Sequence, residues 1–154
     1  MRRVVITGLG ALTPLGNNLP EYWNGLINGV SGAGIITRFN SDKFKTKFAC
    51  ELKGYNSADH FDRKEVNKLD PYAQYALVAA AEALKDSGLD LDKINKERAG
   101  VIWASGIGGL ETFFLAIKQH VLGDGTPRFS PFFIPKMIGD IAAGTISIKY
   151  GFRG

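Results

Sequence analysis

Cysteine is almost absent from this chain of 154 residues: Cys50 stands alone. No intrachain disulfide can form, and a reducing compartment is the expected setting. Histidine is nearly as scarce. His60 and His120 are the two present, and neither has a second histidine, a cysteine or a carboxylate at metal-ligand spacing. No metal site and no cofactor is expected. Also missing is an apolar run long enough to span a bilayer, and no signal or transit pattern opens the chain, so the expected location is cytoplasmic, with no membrane partner. Neither sign of charge dominates: 19 Lys and Arg against 15 Asp and Glu leave +4. Basic residues are not interleaved with a stacking aromatic platform, so nucleic acid is not an expected partner, whereas an acidic protein is compatible.

Glycine, by contrast, is abundant, at 19 residues. The glycines cluster where apolar runs end, which reads as tight turning and close backbone approach rather than disorder. Two such places share a plan. Val4-Val5-Ile6-Thr7 breaks into Gly8-Leu9-Gly10, and Val101-Ile102-Trp103-Ala104 breaks into Ser105-Gly106-Ile107-Gly108-Gly109. Each is a β-branched run followed by a helical pattern, the signature of a buried strand whose chain turns over the top of a sheet.

The spacing predicts a strand over 3–7 and a helix over 19–28 capped by Asn18. Period-two alternation over 44–52 puts Phe44, Thr46, Phe48, Cys50 and Leu52 on one side of a half-buried strand. A short charged surface helix is expected within 59–68. Asp70-Pro71 opens the strongest helix, apolar nearly all round between Tyr75 and Ala81 and ended by Ser87-Gly88. A central strand over 99–104, a helix over 110–122, a turn at 123–127 and a last helix from 135 or 136 to about 149 complete the order. Strand, helix, strand, helix, strand, helix, helix argues for a layered α/β fold with a mixed sheet.

Few residues read as chemistry. Gly8-Leu9-Gly10 begins a dinucleotide fingerprint, but Thr13 stands at its third glycine and no acid-ended strand follows, so a tight strand-to-loop turn is favoured. Cys50 lies mid-strand on the apolar side and reads as a core thiol, and the two histidines read as surface groups. Asp62 with Glu65, and Asp90 with Asp92, fit solvated faces. Two readings stay open for each remaining feature. Arg63, Lys64 and Lys68, with Arg128 on a separate loop, form either a solvated face or a docking patch for an acidic partner. Phe132-Phe133-Ile134 is either a core plug or the wall of an apolar pocket or subunit interface.

Several segments together resemble one family. Val-Val-Ile-Thr-Gly-Leu-Gly at 4–10, Arg-Lys-Glu at 63–65, Leu-Asp-Pro-Tyr-Ala-Gln-Tyr-Ala at 69–76, Ser-Gly-Ile-Gly-Gly at 105–109 and Ser-Pro-Phe-Phe-Ile-Pro at 130–135 are similar to the β-ketoacyl-acyl-carrier-protein synthases, the condensing enzymes of fatty-acid elongation. The resemblance runs in order along the whole chain. It implies a thiolase-like fold, with this chain as one half of the layered α-β-α-β-α architecture and its mixed sheet. It implies a homodimer in which a cysteine attacks an acyl thioester on the carrier protein, and two histidines help decarboxylate malonyl-carrier protein before the carbanion condenses.

On this resemblance residues 1–154 are the N-terminal half of the synthase domain and hold no catalytic residue. The family's nucleophile sits in an elbow shortly after a stretch like Tyr-Gly-Phe-Arg-Gly at 150–154, and Cys50 does not match it. What carries over is binding. Ile107 matches the position that gates the acyl pocket, and Phe133 the one that lines the dimer mate's pocket. Arg63, Lys64, Lys68 and Arg128 match the basic region that receives acyl carrier protein, while Asn67 and Pro127 depart from the family pattern. The implied partners are acyl carrier protein, a second copy, and the C-terminal half of the same enzyme. A non-catalytic carrier-binding module and a chain-length partner subunit without a nucleophile are the alternatives. The helices at 71–84 and 136–149 expect neighbours from outside the chain, so alone it is expected to expose apolar patches and to associate. A sharp monomer boundary in sedimentation would contradict that.

Overall fold

Asn18, Asp62 and Asp70 each precede a helix, and each supplies an acceptor that the first helical turn lacks. The computed structural model describes residues 3–154. Helix α1 is Leu19–Ile27, where the Asn18 side chain accepts from the Glu21 amide at 2.9 Å. Helix α2 is Arg63–Lys68, and Asp62 and Glu65 close a reciprocal capping box around its start. Helix α3, Pro71–Asp86, follows at once. Then come α4 (Leu110–Leu122), α5 (Phe133–Met137) and α6 (Ile141–Tyr150), the last closed by Gly151 at φ 74°. Single 3₁₀ turns occupy Ser57–Asp59 and Lys96–Arg98.

The described residues gather into two compact units, one running up to Asn56 and taking in Ala81–Gly88, the other made of Ser57–Ala80 and Leu89–Gly154. In the first, strands β1 (Gly34–Ile35) and β2 (Phe48–Ala49) pair antiparallel, Gly34 opposite Ala49 and Ile35 opposite Phe48. Carboxylates of α3 hold the loop that follows the first glycine run. Asp86 accepts from the Leu9 amide at 2.9 Å, and Glu82 from the Ala11 and Leu19 amides at 2.8 and 2.7 Å. Gly8 lies directly on α3: a Cβ there would stand 2.3 Å from the Ala83 carbonyl oxygen. Close helix approach is therefore what the first glycine run does, and its amides face negative charge.

The second unit holds the buried core. Ala73, Ala76 and Leu77 of α3 pack with Ala142 and Ile146 of α6, and Phe61 and Leu69 close the cluster. Alanine at the contact lets two helices approach closely.

Several expectations need correction. The strands over 3–7 and 99–104 have no ladder among the described residues, and Val4, Ile6 and Ile102 are almost wholly exposed. A strand exists only where a neighbour takes its N–H and C=O groups in a ladder; on 99–104 the Gly154 amide donates to the Ala99 carbonyl at 3.0 Å and the Ala99 amide to the Lys96 carbonyl at 3.3 Å, both at the first residue of the run. The strand over 44–52 shrinks to Phe48–Ala49, and Phe44, Phe48 and Cys50 face solvent, so Cys50 is no core thiol. The last helix is two helices. It breaks because outside donors claim the carbonyls at its middle: the Gly109 amide takes Met137 at 2.9 Å, and the Tyr72 hydroxyl takes Ile138. The charged stretch before α3 is likewise a 3₁₀ turn followed by the shorter α2.

Candidate functional site

The second glycine run is built against α5. Gly108 sits at φ 83°, and its amide donates to Ser105 Oγ at 3.0 Å. Gly109 is buried, and a Cβ there would lie 2.1 Å from the Lys136 carbonyl oxygen. Nothing larger than glycine fits between this loop and the backbone of α5. The fold thus joins the loop carrying Ile107 to the helix that starts at Phe133. Ile107 itself points outward and is 72 % exposed.

Asp70 fixes the other side of the loop. It is 3 % exposed, and besides the Tyr72 amide at the start of α3 it accepts from Thr112 in the first turn of α4. The Thr112 amide donates at 3.0 Å and its hydroxyl at 2.6 Å. One carboxylate therefore caps two helices. The sequence marks Asp70 as the cap of α3 alone; the matching signal, a threonine in the first turn of α4, becomes meaningful only when the helices are placed. Burial, helped by the charges of Asp70 and Asp140, raises the Tyr72 phenol above its ordinary pKa.

Phe133 is half-buried in a row of rings. It stacks on Phe113 at 6.4 Å between centroids and meets Phe129 at 5.3 Å, and Phe129 meets His120 at 5.7 Å. A cleft of about 210 Å³ opens beside His120 and Phe129, with Gln119, Asp124 and Arg128 on its walls. His120 is half-buried rather than a surface group, and its Nδ1 finds no hydrogen-bond partner among the described residues. Arg128 is engaged: its guanidinium donates to Asp124 at 2.8 Å. The Thr126 amide and hydroxyl, with Arg128 behind them, hold the Asp124 carboxyl below its ordinary pKa.

The predicted docking cations lie on the same unit. Lys64 and Lys68 are one turn apart on a single face of α2, with Arg63 beside them, and all three are exposed. The Lys68 ammonium stands 5.7 Å from the centre of the Phe132 ring. A cation not singled out in the sequence, Lys149, stands 5.7 Å from the Phe61 ring just ahead of α2. Along α4, Leu110, Phe113, Phe114, Ile117, Val121 and Leu122 form a continuous apolar face open to solvent. Among the described residues no three His, Cys, Asp or Glu side chains gather as a metal site, and no helix is long and apolar enough to cross a membrane.

Comparison with known proteins gives this arrangement a family. The profile of the β-ketoacyl synthase N-terminal domain matches residues 1–154. The chain is 46% identical over 153 residues to a 3-oxoacyl-acyl-carrier-protein synthase 2 of Staphylococcus aureus, covering 99% of this chain and 37% of that protein. It is 41% identical over 154 residues to the protein of the same name from Synechocystis, covering 99% of this chain and 36% of that one. The chain thus spans little more than a third of the length of these relatives.

Solved structures agree. The ishigamide ketosynthase/chain length factor superposes with a TM-score of 0.83 at 29% identity, covering 98% of this chain and 38% of that one. A type II polyketide ketosynthase solved with its acyl-carrier protein and a bound hexaketide gives 0.78 at 25% identity, over 97% of this chain and 39% of that one. These likenesses place the fold in the thiolase-like class of α/β ketosynthases; among the described residues the sheet is the two-stranded antiparallel pair β1–β2, not a mixed sheet. The chain belongs to the β-ketoacyl synthase family, whose N-terminal-domain profile matches it over residues 1–154.

Proposed function

We propose that this chain is the N-terminal portion, little more than a third, of a 3-oxoacyl-acyl-carrier-protein synthase 2 acting in the cytoplasm. The reaction is decarboxylative Claisen condensation. An acyl group passes from its carrier thioester to an enzyme thiol, malonyl-carrier protein loses carbon dioxide, and the carbanion so formed attacks the enzyme-bound thioester and expels the thiol. In this reading the chain supplies no group to those bond changes. It supplies the gate of the acyl pocket at Ile107, the wall at Phe133, a surface for a second copy and for the C-terminal half, and the carrier-docking cations Arg63, Lys64, Lys68 and Arg128.

The observation that carries the reading is the family match along residues 1–154, joined to an exposed pair of lysines on one face of α2. A ketosynthase solved with its acyl-carrier protein among the similar structures supports acyl carrier protein as the partner. The purified chain alone is then expected to bind acyl carrier protein and to give no condensation product; turnover of acyl- and malonyl-carrier protein by the 154-residue polypeptide would overturn this.

Charge reversal tests the docking residues. Lys64→Glu with Lys68→Glu is expected to weaken carrier binding by about tenfold or more and to flatten its salt dependence, because both cations are exposed and face an acidic partner. Arg128→Glu is expected to matter less, since Arg128 already spends its charge on Asp124. Titration calorimetry at two ionic strengths, with circular dichroism as the folding control, measures both. Unchanged affinity in the double lysine variant removes the docking role.

One second reading has an observation of its own, the similarity to a ketosynthase/chain length factor. In that reading the chain comes from a partner subunit without a nucleophile. Sequencing the message beyond codon 154 decides it: cysteine at the elbow supports the synthase, glutamine the partner subunit.

A further inference from the structure

One docking cation, Lys68, rests on the residue that directly precedes the pocket wall. Lys68 ends α2, and its ammonium lies 5.7 Å from the centre of Phe132. Phe132 is the N-cap residue of α5 and contributes no side-chain hydrogen bond to that helix. Backbone contacts hold the turn: the Phe132 amide donates to Ser130 Oγ at 3.1 Å, the Phe133 amide to the Ser130 carbonyl at 2.9 Å, and the Lys136 amide to the Phe132 carbonyl at 2.9 Å. The next residue, Phe133, is the one that stacks on Phe113 and Phe129. The same row of rings ends at His120, beside the Arg128–Asp124 pair. Lys68 thus rests on the residue next in the chain to the pocket wall, and Phe132 joins the aromatic row through the backbone at the start of α5.

We propose that Phe132 couples carrier docking to the acyl pocket: an acidic carrier that pairs with Lys68 draws its ammonium off the Phe132 ring, so that Phe132 and, through the shared backbone, Phe133 shift while the hydrogen bonds of the turn stay in place. This rests on the docking and pocket roles proposed above for Lys68 and Phe133. The two states differ in one named contact. In the free protein the ammonium lies over the ring; in the docked protein it faces a carboxylate of the partner. An ammonium over an exposed ring has a modest attraction that docking must give up, so Phe132 holds back binding by a factor of about two to five. Phe132 is a positioning residue in this scheme, since it acts through its neighbour. Arg128 adds no second coupling of this kind, because its guanidinium is bound to Asp124.

Two measurements on the full chain test the coupling. The first uses no carrier: 4-fluorophenylalanine at position 133 is read by fluorine NMR. Lys68→Ala and Phe132→Leu are each expected to shift and broaden the signal, Lys68→Arg to leave it near wild type because the cation remains, and Lys64→Ala to leave it unmoved. A signal that ignores Lys68→Ala, or answers equally to Lys64→Ala, overturns the coupling. The second is a double-mutant cycle on binding of acyl carrier protein. Phe132→Leu is expected to tighten binding about two- to fivefold with Lys68 present and to have no effect in the Lys68→Ala background. Equal effects in both backgrounds overturn the proposal while leaving the docking reading standing. A fluorine signal that follows Lys68 in a protein that binds no carrier overturns the docking reading, and the proposal falls with it.

Discussion

Alanine at position 109 is expected to detach the 105–109 loop from α5 and to lower the melting temperature by roughly 6–12 °C. Its Cβ would stand 2.1 Å from the Lys136 carbonyl oxygen, 2.9 Å from the carbonyl carbon and 3.0 Å from the Met137 Cα. All three atoms are backbone, so no rotamer change relieves the clash. The loop must withdraw, and the Gly109 amide then loses the Met137 carbonyl it holds at 2.9 Å. Overpacking of this kind together with a lost buried hydrogen bond costs on the order of 3 kcal/mol. Gly144, inside α6, is the control. A Cβ there meets nothing within 4 Å, so Gly144→Ala is expected to stabilise by roughly 0.5–1 kcal/mol through helix propensity alone. Parallel thermal melts of the two variants separate a local steric effect from a general intolerance of glycine replacement. A Gly109→Ala protein that melts with wild type would show that the loop does not rest on α5.

The contrast between these glycines marks what the sequence could and could not disclose. Helices α1, α3 and α4 lie where Asn18, Asp70-Pro71 and the apolar spacing of 110–122 place them, because caps and periodicity act within a few residues. The strands over 3–7 and 99–104 were written as apolar runs in the same local language, but a strand is completed by a neighbour far away in the chain, and apolar composition does not provide one. The break between α5 and α6 has a similar origin. Nothing within 135–149 demands it; the Gly109 amide and the Tyr72 hydroxyl impose it from outside. For the candidate site, the charges of Arg63, Lys64, Lys68 and Arg128 are plain in the sequence. Their engagements are not. That Lys68 rests on Phe132 while Arg128 is bound to Asp124 separates two residues that composition treats alike.

The remaining large effect belongs to Asp70. Asp70→Ala is expected to destabilise the protein by about 3 kcal/mol, since it removes the cap of α3 and leaves the Thr112 amide and hydroxyl without their acceptor. A buried carboxylate receiving three hydrogen bonds cannot be replaced by water where only 3 % of the residue is exposed. Thr112→Val should recover only part of the loss when combined with Asp70→Ala: it removes the orphaned hydroxyl but not the orphaned amide, and the two variants share a partner, so their effects are non-additive. Asp70→Asn gives a second readout that is independent of the melt. The negative charge of Asp70 is the second cause, after burial, that holds the Tyr72 phenol above its ordinary pKa of 10.0. With asparagine the phenol should therefore titrate lower than in the wild type yet still above the usual value, because burial persists. Difference absorbance of the phenolate between wild type and variant, with Tyr72→Phe identifying the signal, measures this. A melt unchanged in Asp70→Ala together with an unmoved phenol in Asp70→Asn would mean that Asp70 does not bridge the two helices. An unfolded Asp70→Ala beside a folded Asp70→Asn with a lowered phenol would show that the single acceptor oxygen asparagine keeps is enough to hold the fold, and would assign the rise of the Tyr72 pKa to the charge that asparagine lacks.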